Sequence, residues 1–254
     1  MSQQQYANLS EFIAFLEAKG ELSRITTPVS CELEITEITD RTTKRGGPAL
    51  LFENVEGYSS PVVTNLFGSQ QRMAWALGVD HLNDLSEKIR SLLNLAKSPP
   101  KGITEKVKAL GELVKMARYQ PKLVSKAPCQ EVVYTGDDVD LNKLPILKCW
   151  PLDAGKYITL PLVITKDPET GGRNVGMYRI QVFDSNTTGM HWQTHKVGTK
   201  HQRTAQEKGL ARIDVAVAVG GDPTTIWSGS APLPPDLDEF VIAGILRGQA
   251  VEVV

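Results

Sequence analysis

No stretch of this sequence approaches the ~20 consecutive apolar side chains that a membrane-spanning helix requires, and the opening Met1-Ser2-Gln3-Gln4-Gln5-Tyr6 has neither the basic start nor the apolar core of a signal peptide. The expected location is the cytoplasm. An excess of either charge is missing too: 28 Lys and Arg oppose 29 Asp and Glu, for a formal net charge of -1. That balance removes the global electrostatic case for a nucleic acid partner or an anionic membrane surface. Cysteine is scarce. Cys31, Cys129 and Cys149 are odd in number, far apart and without Cys-x-x-Cys spacing, so neither a disulfide framework nor a thiolate zinc site is indicated, and all three are expected to be reduced and buried. Several catalytic signatures are absent as well. No Gly-x-Ser-x-Gly elbow anchors an esterase triad. Gly220-Gly221-Asp222-Pro223 lacks the Lys-Ser/Thr ending of a phosphate-cradling loop and reads as a turn between strands. Asp137-Asp138-Val139-Asp140 lacks the glycine and the terminal glutamate of a calcium loop and reads as a solvated turn.

What is present is the composition of a soluble globular protein, 41% hydrophobic and 22% charged, with no internal repeat and no low-complexity segment. Asn8 and Glu11 form an Asn-x-x-Glu variant of the capping box, and Leu9, Phe12, Ile13 and Leu16 share one face of a helix over Asn8 to Lys19 that Gly20 stops. There follow a strand over Leu22 to Thr26, a helix over Glu34 to Lys44, the apolar run Ala49 to Phe52, a strand over Val62 to Leu66 and a helix from Gly68 to Leu77. Such alternation argues for an α/β layer domain. Helical spacing recurs over Leu82 to Leu95 and Ile103 to Met116, around the breaker Ser98-Pro99-Pro100-Lys101-Gly102, and these helices close a first domain at residues 1–120. After Pro121 the texture changes to short strands: Glu131 to Tyr134, Leu160 to Thr165, Gly176 to Phe183, Met190 to Thr194, Ile213 to Val219 and Thr225 to Trp227. A second domain over residues 121–254 is therefore expected to be a β-barrel or sandwich. Pro232 to Glu239 reads as a rigid segment entering a helix over Asp238 to Leu246, with Glu239 in the first turn, where the helix dipole favours a carboxylate. Gln249 to Val254 reads as a strand without a stop signal, so the chain is expected to end within a fold.

The most informative stretch runs from Asn174 to Lys196. It reads as a β-hairpin whose turn, Asp184 to Gly189, closes on a glycine suited to a positive φ. Antiparallel pairing would gather Asn174 and Arg179 from one strand with His191, Trp192, His195 and Lys196 from the other at the open mouth. His191 and His195 share a side on either a helix or a strand. The glutamate of a His-Glu-x-x-His metalloprotease is replaced by Trp192, however, so the plainer reading is a pair of ordinary polar histidines. Arg179 is more telling, since a guanidinium in an apolar strand stays charged and needs a carboxylate or phosphate partner. A structural ion pair would satisfy it equally. Asn174 alone reads as a turn residue.

Taken together, these segments resemble the UbiD family of reversible decarboxylases, most closely its 3-polyprenyl-4-hydroxybenzoate branch. The resemblance spans nearly the whole chain. It is carried by Leu33 to Ile38 with Asp40-Arg41, by Gly46 to Asn54, by Asn65-Leu66-Phe67-Gly68, by Ala127-Pro128-Cys129-Gln130, by Gly136 to Leu141, by Cys149-Trp150-Pro151, by Asn174 to Arg179 and by Leu246-Arg247-Gly248.

The resemblance implies an N-terminal α/β domain followed by a split β-barrel of the flavin-reductase kind, here cut short, in a protein that forms homo-oligomers when complete. It implies prenylated FMN as cofactor, supplied by a flavin prenyltransferase, together with Mn²⁺ or Mg²⁺ and often K⁺. Asn174, His195 and Glu239 match the family's metal positions, and an amide oxygen, an imidazole and a carboxylate form a set suited to such ions. Asn174, Met177, Tyr178, Arg179, His191, Trp192, Gln193, His195 and Lys196 match its cofactor-binding positions, although Lys196 to Gly198 departs from the branch's more glycine-rich pattern. Arg179 matches the catalytic arginine of a Glu-Arg-Glu network whose two glutamates are expected beyond Val254. The implied substrate is an aromatic acid, 3-polyprenyl-4-hydroxybenzoate of ubiquinone biosynthesis, whose prenyl tail would bring peripheral membrane contact. Without those glutamates the chain by itself is expected to be inactive. Two alternatives stay open: a flavin-binding module without lyase activity, and a structural subunit completed by another polypeptide.

Overall fold

Asn8 caps the first helix, α1 (Leu9–Ala18), by accepting the Glu11 N–H at 3.0 Å, and Glu11 reaches back to the Ala7 N–H at 2.8 Å, one residue before a standard capping box would place it. Phe12 and Leu16 are fully buried along its inner face. This helix opens a computed structural model that describes residues 5–85, 117–233 and 237–254. The first sheet has the order β1 (Leu22–Ile25), β2 (Ala49–Phe52), β3 (Val62–Thr64), with β1 and β2 parallel across the crossover helix α2 (Glu34–Lys44) and β3 antiparallel to β2. All four residues of β2 are buried, as a central strand without alternation requires.

Before α3 (Gln70–Ala76), Ser69 accepts the Arg72 N–H at 3.1 Å. Arg72 is fully buried: Nη1 pairs with Glu21 at 2.6 Å and Nη2 donates to the Gly47 carbonyl at 3.1 Å. The Asn65 amide donates to the Gly47 and Pro48 carbonyls, so two separated sequence motifs meet in one polar knot. The helices expected over Leu82 to Leu95 and Ile103 to Met116 lie outside the described residues, apart from residues 82–85.

Beyond residue 121, β4 (Lys122–Leu123) pairs in parallel with β11 (Glu252–Val253). Between them lie two antiparallel three-stranded sheets. One has the order β10 (Val215–Val219), β6 (Pro161–Lys166), β7 (Arg173–Met177); the other has the order β5 (Lys156–Ile158), β8 (Ile180–Val182), β9 (Thr188–Met190). The architecture is thus mixed α/β with four small sheets and, among the described residues, no closed barrel. The segment read as one strand over Gly176 to Phe183 breaks at Tyr178-Arg179 and sends its halves to different sheets.

Other expectations need correction. Glu131 to Tyr134 is an exposed loop between 3-10 turns at Pro128–Gln130 and Gly136–Asp138. Met190 to Thr194 is strand only at its first residue. An unanticipated helix, α4 (Val197–Glu207), follows it and packs on β6 and β7. Thr225 to Trp227 is helical, within α5 (Pro223–Ser228), because Asp222 accepts the Thr225 N–H at 3.0 Å and Pro223 sits at the first helical position. The start signal there outweighs the β-branched pair. Gly189 has no positive φ; a Cβ there would come 2.6 Å from the tip of the exposed Phe183 ring, which rests over it. Cys31 and Cys149 are buried and free, but Cys129 is exposed.

The last helix, α6 (Glu239–Arg247), is capped by Asp238 and stopped by Gly248 at φ 72°. It shares one cluster with Leu77 and Leu85 and another with Leu162 and Val175, joining the first layer to the β6–β7 sheet. No helix among the described residues is long and apolar enough to cross a membrane.

Candidate functional site

The outer edge of β7 organises the site. In the antiparallel ladder its outward N–H groups need partners from elsewhere, and two are supplied: Val175 donates to Glu239 Oε2 at 2.9 Å, and Met177 donates to the Gly229 carbonyl at 3.0 Å. Arg173 holds the neighbouring N-cap, Asp238, at 2.8 Å, so the start of α6 is fastened against the strand. Glu239 therefore stands beside Asn174, the residue that precedes Val175. Burial pushes the Glu239 carboxyl above the usual carboxylate range, against the stabilising pull of the Val175 N–H.

Asn174 is 6% exposed and pairs across the ladder with Thr165; its amide nitrogen is buried without a hydrogen-bond partner among the described residues. Which end of an amide carries the oxygen is assigned from its neighbours, and here no neighbour decides it. An amide without a partner and a partly buried carboxylate held one residue along the strand are donors of the kind that fits Mn²⁺ or Mg²⁺. His195 is exposed, in the turn that leads into α4. Glu239 is thus fastened to the backbone one residue from Asn174, whereas His195 lies apart on that exposed turn.

The second half of the site lies where the chain passes from β7 to β8. Tyr178 is buried and meets Trp192 edge to face at 6.2 Å between centroids. The Trp192 indole also fills the space a Cβ on Gly198 would take, at 2.8 Å, and its N–H is buried without a hydrogen-bond partner among the described residues. Gln193 accepts the Lys196 N–H at 3.0 Å and the Thr199 hydroxyl at 2.7 Å through its carbonyl, which folds the loop back onto the start of α4. His191 and Lys196 are exposed, and Met177 is partly buried.

Arg179 carries a carboxylate already. Its Nη1 donates to Asp153 Oδ1 at 3.0 Å and its Nη2 to Oδ2, and the guanidinium carbon lies 3.6 Å from the Tyr157 ring centroid. The pair holds the Asp153 carboxyl below its ordinary range and the guanidinium above its own. At the backbone, the His191 N–H donates to the Arg179 carbonyl at 3.0 Å, so these two do meet at the hairpin's open end, while Asn174 belongs to the other sheet.

Sequence reasoning missed Asp153, Tyr157, Thr165 and His201. His201, on α4, is 4% exposed with Nδ1 2.9 Å from Thr165 Oγ1. Asp153 lies two residues past the Cys149-Trp150-Pro151 motif, and that proximity was the available signal. The other three sit in ordinary surroundings and become visible only through contacts distant in sequence.

Along its length the chain is similar to proteins of one family. The family model described as the 3-octaprenyl-4-hydroxybenzoate carboxy-lyase N-terminal domain matches residues 13–92, and the Rift-related domain of the same carboxy-lyase matches residues 122–254. An uncharacterised protein of Archaeoglobus fulgidus is 50% identical over 248 residues, covering 98% of this chain and 50% of the relative. The chain thus spans about half the length of the curated relatives it matches. Among solved structures, an evolved dimeric form of the UbiD-class enzyme HmfF from Pelotomaculum thermopropionicum, in complex with prFMN, is 30% identical with a TM-score of 0.80 over 97% of this chain and 52% of that one. The closed form of vanillic acid decarboxylase from Sedimentibacter hydroxybenzoicus is 28% identical with a TM-score of 0.80 over 99% of this chain and 51% of that one.

Proposed function

The chain belongs to the UbiD family of decarboxylases, and from that premise we propose that it serves the non-oxidative decarboxylation of an aromatic carboxylic acid, 3-polyprenyl-4-hydroxybenzoate of ubiquinone biosynthesis, with prenylated FMN and a divalent metal. The observation that carries this reading is the partly buried Glu239 carboxylate, fastened to the Val175 N–H of β7 one residue after Asn174, whose amide is unsatisfied among the described residues. Asn174, Glu239 and His195 would hold Mn²⁺ or Mg²⁺, with K⁺ nearby, and so tie the cofactor's phosphate to the protein. Met177, Tyr178, His191, Trp192, Gln193 and Lys196 would line the flavin. Prenylated FMN, when bound, supplies the sink for the electron pair left as CO₂ departs.

Arg179 orients the substrate carboxylate through the donors that Asp153 leaves free and stabilises negative charge there. A division into residues 1–120 and 121–254 is supported by the two matched family models and by the β4–β11 pairing, and a split β-barrel by the two three-stranded sheets. Homo-oligomers, cofactor supply by a flavin prenyltransferase and membrane contact through a prenylated substrate are part of the same proposal; the dimeric form of HmfF supports the first.

Glu239→Gln tests the reading. It keeps the size of the side chain and removes its charge, so Mn²⁺ and flavin should be lost together when both are measured on the purified protein. A variant that holds wild-type flavin without metal would show that no metal bridge exists.

A further inference from the structure

Arg179 has five N–H donors, and Asp153 engages one on each terminal nitrogen. Tyr157 covers one face of the guanidinium, and its ring is held in turn by the hydroxyl donating to Gln181 at 3.0 Å. Asp153 is itself anchored. Its Oδ2 takes the Trp150 N–H at 3.1 Å, its own N–H goes to the Trp150 carbonyl at 3.0 Å, and its side chain is 11% exposed. A planar cation gripped on one edge and one face has lost its rotamer freedom before any ligand arrives. The Arg179 side chain is nonetheless 32% exposed; the Cys149 side chain also lies against the guanidinium, but Nε donates to no oxygen or nitrogen acceptor among the described residues.

We propose that Asp153 is a positioning residue: seated in the turn from Trp150 to Asp153, it fixes the plane of Arg179 so that the remaining edge presents Nε–H and a terminal N–H to the carboxylate of the aromatic acid. This rests on the reading of Arg179 as the group that meets that carboxylate. Two-pronged recognition requires the guanidinium and the carboxylate to be coplanar, and an unanchored arginine would spend binding energy on becoming so. In a competing arrangement Asp153 merely holds the ligand's place and is displaced by it. That arrangement predicts tighter binding once the aspartate charge is removed, whereas positioning predicts weaker and less selective binding.

The experiment measures binding of 4-hydroxybenzoate and of its uncharged amide to the purified chain by calorimetry, with FMN uptake and the melting temperature as controls. The wild-type chain should prefer the carboxylate at least tenfold. Asp153→Asn keeps the size and an acceptor for the Trp150 N–H but loses the two-pronged edge, so the preference should fall tenfold or more while FMN uptake and melting stay close to wild type. Asp153→Glu should restore part of it. If Asp153→Asn melts early, Tyr157→Leu, which removes the stacked face and leaves Asp153 in place, should show the same loss of preference. An Asp153→Asn chain that keeps or strengthens the preference, when Arg179→Ala abolishes it, overturns the positioning role alone. A wild-type chain without preference, or an Arg179→Ala chain that retains it, overturns the reading of Arg179 and the proposal with it.

Discussion

Arg179 shows what a single residue can disclose in sequence and what it cannot. That a guanidinium in an apolar strand needs an acid was legible; which acid was not, because Asp153 lies 26 residues away and is brought in by a turn rather than by strand pairing. In the active protein, Arg179→Ala should lower turnover far more than flavin content, and Arg179→Lys should rescue poorly, since an ammonium has neither the second prong for Asp153 nor a flat face for Tyr157. Steady-state rates set against flavin absorbance check this, and near-normal turnover in the lysine variant would remove Arg179 from the reaction. Glu239 makes a different claim. Its folded carboxyl titrates above the usual range because it is buried, so in the metal-free chain its contribution favours the fold at low pH and is lost as pH rises through the raised value. A cation binds only the ionised form. Mn²⁺ affinity should therefore climb with pH across that titration, with a proton released on binding. Calorimetric titration at several pH values, in buffers of different ionisation enthalpy, reads both quantities; an affinity independent of pH would exclude Glu239 as a ligand.

At the scale of elements, α2 and β2 are legible with the bounds the structure gives, since Gly46-Gly47-Pro48 ends the helix and leaves the short apolar run Ala49 to Phe52 as a separate strand. The helix α4 escaped because its buried positions, Gly198, His201 and Ala205, have helical spacing but are small or polar, and hydrophobic periodicity sees only large apolar side chains. This helix docks on β6 through His201 and Thr165, and burial holds the imidazole below its ordinary range, against the nearby charge of Asp167. The sign follows. The unfolded chain binds a proton on His201 near pH 6.5 while the folded chain resists it, so acidification through that region favours unfolding until the folded imidazole titrates as well. His201→Gln should lose part of the Thr165 contact, on the order of 1 kcal/mol at neutral pH. It should also flatten the decline in stability between about pH 7 and about pH 5. Urea midpoints for both proteins across that range decide it: an equally steep decline in the variant would place the acid sensitivity elsewhere.

For the whole molecule, the sequence marked where helix-rich texture gives way to short strands, but not how the parts are joined, because periodicity says that a face is buried and never by what. The join is α6. Val241, Ile242, Ile245 and Leu246 form one cluster with Leu77 and Leu85, while Phe240 and Ala243 on its other side pack with Leu162 and Val175. Polar contacts reinforce it: Thr224 donates to the Ala76 carbonyl at 2.8 Å, and Arg247 pairs with the buried Asp222 at 3.1 Å. A helix that is apolar on both sides couples two cores, so a cavity beside it should be felt by both. Ile242→Ala removes a side chain 4% exposed in the first of those clusters and should cost about 2–5 kcal/mol, the range for truncating a buried isoleucine. The more informative reading is amide exchange, followed at Leu50 to Phe52 in β2 and at Val163 to Thr165 in β6. If α6 makes the parts one cooperative unit, protection should fall at both sites by a similar factor, although neither strand contains the substitution. Protection kept in β2 but lost in β6 would show that the two cores open separately, and that α6 only touches the first layer without stabilising it.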